Sequence, residues 1–576
     1  MSKPPRKFPP LGPWPNGINN SSRDYRLPAN ALLDALNVDI TDNGDCLIRP
    51  GYGVATAITN GHSLSNQGSK VMVCLGSTLA VITGVEPLTI TTLRTGMSLL
   101  PISYAELAGE VWWSNGAESG RCNKDNSDHP WAVPTPANIP LVFAAGGGTL
   151  TAGRYLVAIT HSMVDGEEST ASSIYLYNLA STGSIVVNLP TAKPGVTNFV
   201  VYCSSADGPI LQRAATVPAA TASVTISANP SGRQIREHSF LAPLPPGEII
   251  AFHNGRLLSA KGDTLSYSEI HDFGLYNPAK GYLRLPGTIS IVAPCENGVF
   301  IVADKTYWYS GTDIAQAEVF ERLPSGAVKG TEFENPLTKG DPLTKGVGWF
   351  GADGFVLGAP DGSVSLPQRD NGGFNAPQAT SGNTLVRNEN GRIHLICHLD
   401  DTAAYRQDVS PDFTAARLLY DDDASTVTWN LLSQAGTSRY ANWNFNSTAQ
   451  IGNEYYGMDA TGLRKLSGAD DDGDQIVAAV HLGRIRFGSP QLKTPLNVYV
   501  GGKSSAPLLL GITTSDGRGV YEYPARSFSP DARVHRHDLA RGLRDTWFGM
   551  SIRNQGGAGM EISEVIVLVA DSQRAI

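Results

Sequence analysis

Apolar and polar residues alternate along this chain in runs of roughly four to eight positions, and many of the runs stop at Asn-Gly or Asp-Gly. Val111, Trp112 and Trp113 lead into Asn115-Gly116, Ile249 to Phe252 into Asn254-Gly255, and Trp349 and Phe350 into Asp353-Gly354. A period of two followed by a dipeptide that tolerates positive φ predicts antiparallel hairpins. Helical periodicity is scarce, and its best stretch, residues 29–37, predicts a helix of barely two turns leading into a strand. No apolar run approaches the roughly 18 residues of a membrane span.

Hairpins repeated without a helical crossover predict meandering sheets, and a β-propeller is the common large form. The hairpin texture covers residues 12–139 and 246–480, enough for roughly six to eight blades at about 40–45 residues each. Between them, residues 140–245 carry longer alternating strands through Tyr155, Val157, Ile159, Ile185, Val187, Phe199 and Val201, the pattern of an inserted sandwich. Residues 481–576 change again, with Val498, Val500, Tyr521, Tyr523 and a final apolar strand through Ile562, Ile566 and Val569, and predict a terminal β-sandwich. Residues 1–11 hold Lys3, Arg6 and Lys7 without an apolar stretch behind them, and are read as a basic arm, mobile or ordered by a partner rather than a secretion signal. The repeat Pro336-Leu337-Thr338-Lys339-Gly340 and Asp341-Pro342-Leu343-Thr344-Lys345-Gly346 is read as a lengthened loop.

Composition narrows the function classes. The 576 residues imply two to four domains, and 61 Gly and 37 Pro with 17% charge suit many strands and turns. A net charge of −9 disfavours a surface that grips phosphates, though an acidic wall suits DNA that passes without being held. Cys46, Cys74, Cys122, Cys203, Cys295 and Cys397 lie far apart, which predicts buried thiols rather than disulfides or a zinc site.

Candidate chemistry is sparse. The acidic runs Asp421-Asp422-Asp423 and Asp470-Asp471-Asp472-Gly473-Asp474 are read as solvated turns, with calcium held by Asp470, Asp472 and Asp474 as the alternative, although the alternating spacing and closing Glu of a calcium loop are missing. Carboxylate pairs for glycoside hydrolysis need a separation that sequence does not provide. His535 and His537 share one side of a strand, with no third metal ligand near in sequence. No nucleophile elbow, zinc-protease helix or phosphate loop is present; Gly146-Gly147-Gly148 lacks the following Lys. Trp112-Trp113, Tyr307-Trp308-Tyr309 and Tyr455-Tyr456 are read as packing residues, with sugar stacking as the alternative. Arg541 and Arg544 precede Trp547, which is assigned to the sandwich core, while the two arginines are either plain surface or a subunit interface.

The order Gly17-Ile18-Asn19, an Ala-rich segment at 29–35, Asn37-Val38-Asp39 and Arg49-Pro50-Gly51-Tyr52 resembles the N-terminal signature of phage tail nozzle proteins. The pattern at 153–169 is similar to fibronectin-like modules of phage virion proteins. The resemblance implies an all-β protein: a β-propeller-like platform, an inserted Ig/fibronectin-III-like sandwich and a C-terminal β-sandwich. It further implies a non-enzymatic tail hub or nozzle subunit without a cofactor, assembled in the host cytoplasm into a homohexameric ring of the virion. Such a ring joins a tail tube or adaptor protein, bears fibres or spikes, and lets phage DNA through its lumen. The rival expectation is a receptor-binding or glycan-depolymerising propeller of a tail fibre.

Overall fold

Hairpin turns organise the chain where the sequence puts its left-handed residues. Asn254 and Gly255 (φ 42° and 81°) join Ile249–His253 to Arg256–Lys261, and Asn390 and Gly391 (φ 52° and 77°) join Gly382–Glu389 to Arg392–Leu399. Positive φ at both central residues matches the twist of the flanking strands. The computed structural model describes residues 5–136, 140–164, 166–235, 240–338, 345–400, 402–406, 424–433, 436–488, 490–515, 520–540 and 542–571. It is all-β, with three short 3₁₀ turns as its helical elements among the described residues. No helix among them is long and apolar enough to cross a membrane.

Two units divide the chain, Met1–Pro101 with Pro286–Ile576, and Ile102–Leu285. The first contains four blade-type sheets of four antiparallel strands, in residues 61–94, 291–323, 333–365 and 447–465, the last completed by Gly53–Ala57 from the other end of the chain. Neighbouring sheets pack face to face. Leu64, Val73 and Ala80 meet Ala449, Tyr456 and Met458, while Phe300 and Trp308 meet Trp349 and Val356. The second unit contains two more such sheets, in residues 103–129 and 249–284. Within each unit taken by itself, these small antiparallel sheets are propeller-like.

The second unit also holds the Ig/fibronectin-III-like sandwich. Its four-stranded sheet runs Tyr175–Leu179, Gly153–Ser162, Asn198–Cys203, Gln212–Pro218, the C′-C-F-G order of such domains. Its three-stranded sheet places the first and last strands, Leu141–Leu150 and Ser223–Ile226, on either side of Gly183–Asn188. Val157, Ile159, Ile185, Val187, Phe199 and Val201 fill the space between, as their alternation requires.

The terminal sandwich differs from expectation in its parts. Residues 481–576 do not supply it alone. Its nine-stranded sheet takes Asp34–Leu36 and four strands from 382–440, and its six-stranded sheet takes Val38–Ile40, Cys46–Ile48 and Arg6–Lys7. Residues 12–48 and 382–440, assigned to blades from their hairpin texture, therefore belong to this sandwich. The reason is burial: one apolar cluster runs from Leu33 and Val38 through Leu395 and Trp429 to Val498, Phe548 and Val567, and a local hairpin pattern does not say which sheet a hairpin joins.

Three local expectations are corrected with it. The helix expected over 29–37 is the fully buried strand Asp34–Leu36, flanked by Pro28 and pairing with Ala479–Ile485, so tertiary pairing overrides a weak helical tendency. Residues 5–11 of the arm need no partner to be ordered: Arg6 and Lys7 pair with Val569 and Leu568, the Phe8 amide donates to the Val567 carbonyl, and the Phe8 ring stacks edge-on against Phe487 at 5.1 Å. Trp547 is half-buried rather than core, wedged between Tyr25 and the Arg486 guanidinium. All six cysteines are buried and free.

Because Phe8 packs on the main cluster, Phe8→Ala is expected to lower unfolding free energy by about 1–3 kcal/mol, less than a fully buried Phe because the ring is only partly covered. A urea midpoint unchanged from wild type would show the strand to be a passive passenger.

Candidate functional site: a buried ion network and its cavity

The acidic turn at 470–474 joins the buried network through Asp471, whose carboxylate is turned inward. Asp471 is 3% exposed and takes a bidentate pair from Arg49, at 2.8 Å from Nη1 and 2.5 Å from Nη2. Arg49 also donates from Nε to Asn37 Oδ1 (2.9 Å) and to the carbonyls of Pro50 (3.0 Å) and Ala441 (2.9 Å), while its guanidinium lies 5.3 Å from the rings of both Tyr440 and Trp443. Every donor direction of the fork is used.

The Arg49-Pro50-Gly51-Tyr52 motif acquires a physical meaning here. A Cβ on Gly51 would sit 1.8 Å from the Asp470 carbonyl oxygen, so glycine is required for the two backbones to touch. The touch is a ladder: Gly51 N–H donates to Gly468, Tyr52 N–H to Asp470, and Asp472 N–H back to Tyr52. Tyr52 then packs edge-on against Phe445 at 5.1 Å.

Two further buried pairs tie the same N-terminal segment to the 380–440 region. Asp34 receives Arg439 through Nε and Nη2 at 2.7 Å each, with both side chains 1% exposed. Asp39 receives Arg387 and the Tyr440 hydroxyl. Burial alone would raise the Asp39 carboxyl; the Arg387 and His394 charges and the Tyr440 hydrogen bond outweigh it and hold the group below the ordinary carboxylate range. Burial pushes His394 below the ordinary imidazole range and Tyr440 well above the ordinary phenol. A cavity of about 340 Å³ opens beside this network, lined by Asp39, Arg49, Arg387, Glu389, Arg392 and His394.

The candidate calcium ligands are placed apart in role. Asp472 is paired with Arg464 at 2.6 Å, and Asp470 accepts the Gly473 amide of its own turn. Asp474 is exposed, and the described residues contain no grouping of carboxylates, histidines and cysteines fit to hold a metal ion. Asp421, Asp422 and Asp423 lie outside the described residues, as does Arg541; Arg544 is exposed and makes no ion pair among the described residues. His535 and His537, 1% and 0% exposed, are not on the surface: they reach the carbonyls of Ser527 and Tyr523.

The aromatic pairs are mostly interior. Trp112, Trp113, Trp308, Tyr455 and Tyr456 are buried. Trp112 and Trp131 also border a second cavity of about 370 Å³ in the smaller unit, with Arg121, Glu167, His271 and Phe273. There Arg121 covers Trp112 and holds Glu167 through two 2.8 Å bonds.

One constellation escaped the sequence reading. Ser425 Oγ stands 3.1 Å from His398 Nδ1, and Asp400 stands 3.3 Å from His398 Nε2. Thr426 Oγ1 competes for the same nitrogen at 3.2 Å, and Asn444 lies 3.2 Å from the Ser425 hydroxyl. The imidazole therefore fastens neighbouring strands. His398 and Asp400 stand two residues apart at the end of an apolar strand and Ser425 and Thr426 are adjacent, but neither stretch carries a motif.

No protein-family description and no curated protein matches the chain. Among solved structures, BBS1N in complex with ARL6DN aligns at 11% identity and a TM-score of 0.25 over 62% of this chain and 94% of that one. The extracellular domain of the putative one component system BT4673 from B. thetaiotaomicron aligns at 8% identity and a TM-score of 0.21, covering 84% and 86%. Saccharomyces cerevisiae Sqt1 aligns at 12% and 0.15, covering 55% and 97%. Scores this low assign no function.

Two outcomes are expected from the network. Asp471→Asn strands the Arg49 charge in the interior and lowers stability by about 3–5 kcal/mol, read by chemical denaturation. Acid should also destabilise the fold. His481 is buried and held down to about 4, so its native form is neutral while the unfolded chain protonates near the usual imidazole value. Its contribution is complete above about pH 6.5 and is lost as pH falls toward 4, up to about 3 kcal/mol, with His394 and His537 shifted the same way. His481→Gln should flatten the pH profile of the melting temperature in that window; an unchanged profile would remove His481 from the account.

Proposed function

We propose that the protein is a structural, non-catalytic subunit of a phage tail, a hub or nozzle ring at the distal end of the tube. The observation that carries this reading is where the signature residues go. Asn37, Asp39, Arg49, Gly51 and Tyr52 are all spent on the buried framework that binds the two ends of the chain, the investment of a part that must hold its shape under load. Copies form a homohexamer that joins a tube or adaptor protein above and carries fibres or spikes at the side. DNA passes through its lumen along an acidic wall, and the protein resides in the virion tail after assembly in the host cytoplasm. Receptor engagement by the fibres biases a two-state gate toward the open form, through differential affinity for the two states.

A tail-fibre propeller that binds glycan is the second reading. It is favoured by the cavity that Trp112, Trp131 and Phe273 line together with Arg121 and Glu167. Negative-stain images and native mass of the purified protein separate the two. Six-fold rings are expected; trimers or monomers that clear host polysaccharide would overturn the structural reading.

A further inference from the structure

Strand register gathers arginines around two aromatic rings beyond the ends of two strands of the nine-stranded sheet. Ile485 pairs with Phe548, so the next residues out, Arg486 and Trp547, meet past the pair, with the guanidinium 5.4 Å from the centre of the indole. The 3₁₀ turn Asp24–Arg26 lies against the same place, because Gly483 has no Cβ where one would sit 2.7 Å from the Asp24 carbonyl oxygen. Tyr25 thereby stands edge-on to Trp547 at 5.9 Å, with the Arg26 and Arg484 guanidiniums 5.7 and 6.0 Å from its own ring. Arg23 donates to the Tyr25 hydroxyl at 3.1 Å.

The charges in this cluster do not cancel. Asp24 is buried and taken by Arg484. Arg6, which donates to the Phe487 carbonyl at 2.7 Å, is held by Asp571 at 2.9 Å. Asp545 accepts from the Ser515 amide and hydroxyl at 2.7 and 2.6 Å. Arg26 and Arg486 are exposed and have no ion-pair partner among the described residues. The buried Lys493 feels the excess: burial lowers its ammonium, Asp571 pulls it back up, and the Arg6 and Arg486 charges push it down again. In a chain with a net charge of −9, a cationic excess on one surface is the exception.

A guanidinium lying over an aromatic ring is held flat, with its N–H edge free to take phosphate oxygens and its outer face open to a stacking base. A partner that uses both features carries phosphates and free bases in one polymer. We propose that this patch binds single-stranded nucleic acid, Arg26 and Arg486 each taking a phosphate and a base stacking on the pair formed by Arg486 and Trp547. An acidic peptide would meet the forks and leave the rings idle, and a duplex offers its phosphates with the bases already stacked on one another. The inference goes beyond the ring reading above, in which DNA passes without being held, and neither depends on the other.

The test titrates full-length protein into a fluorescently labelled oligothymidylate of about 20 nucleotides and follows anisotropy over a salt series, with thermal melting as the control for folding. Arg26→Ser and Arg486→Ser should each weaken binding about tenfold and reduce the slope of log Kd against log salt by about 0.7, the share of one phosphate on a single strand. Both side chains are exposed, so the melting temperature should stay at the wild-type value. Trp547→Leu should weaken binding about tenfold with the salt slope unchanged, since stacking releases no counterions. Because that indole is half-buried, a second readout accompanies it: the oligonucleotide should quench tryptophan emission in wild type, and the quench should be missing in Trp547→Phe. No binding by wild type at about 50 mM salt overturns the proposal, as do unchanged affinities in both arginine variants. So does a duplex or a polyglutamate of matched length that binds as tightly as the single strand. The rings sought by negative stain are scored separately, so either reading can fail alone.

Discussion

A charge buried without its partner costs more than any apolar contact nearby can return, and three aspartates of the first fifty residues and of the 470 turn are buried with arginines as their partners. Asp34, Asp39 and Asp471 meet Arg439, Arg387 and Arg49 across separations of about 350–420 positions. None of these pairs forms unless distant strands are already in register. Once formed, none can be broken from one side without stranding an ion. The register of the nine-stranded sheet and the placement of the 470 turn both answer to this requirement.

The pairs also explain why the terminal sandwich is shared between the two ends of the chain. Leu33, Val38 and Ile40 are fully buried, but so are the polar residues between and beside them, Asp34, Asn37 and Asp39. The segment fills an inner position of the nine-stranded sheet with Asp34–Leu36 and the edge of the six-stranded sheet with Val38–Ile40, whose Val38 and Ile40 carbonyls accept from Ser438 Oγ and Asn430 Nδ2. It has to lie where strands from 382–440 and 479–571 can satisfy it, and the two large sheets are assembled around it.

The legible part of the fold was the local part. Turn dipeptides such as Asn254-Gly255 and alternation such as that of Val157 and Ile159 are properties of adjacent residues, and the hairpins and the inserted sandwich follow from them. Sheet membership was not legible, because a hairpin at 382–399 and a hairpin at 249–261 carry the same pattern while joining sheets of different kinds. The site was half legible. Arg49, Gly51 and Asp39 stood out as a motif, but Arg387 and Tyr440, the partners of Asp39, and Arg439, the partner of Asp34, sit in sequence of no special character. The acidic turn was visible as charge, yet only the distant arginine reveals that its middle member faces inward.

One sheet of the larger unit begins at Gly53–Ala57 and is completed by Ser447–Ile451, Glu454–Met458 and Gly462–Lys465. About 400 residues separate its first strand from the others, so at ordinary ribosomal speeds that strand waits about 20–80 s for its partners to be synthesised. Throughout that interval its unpaired amides and carbonyls are open to any other nascent chain. Rapid early folding is therefore of no use to this segment; what protects the polypeptide during synthesis is that Gly53–Ala57 is short and carries Val54 as its single large apolar side chain.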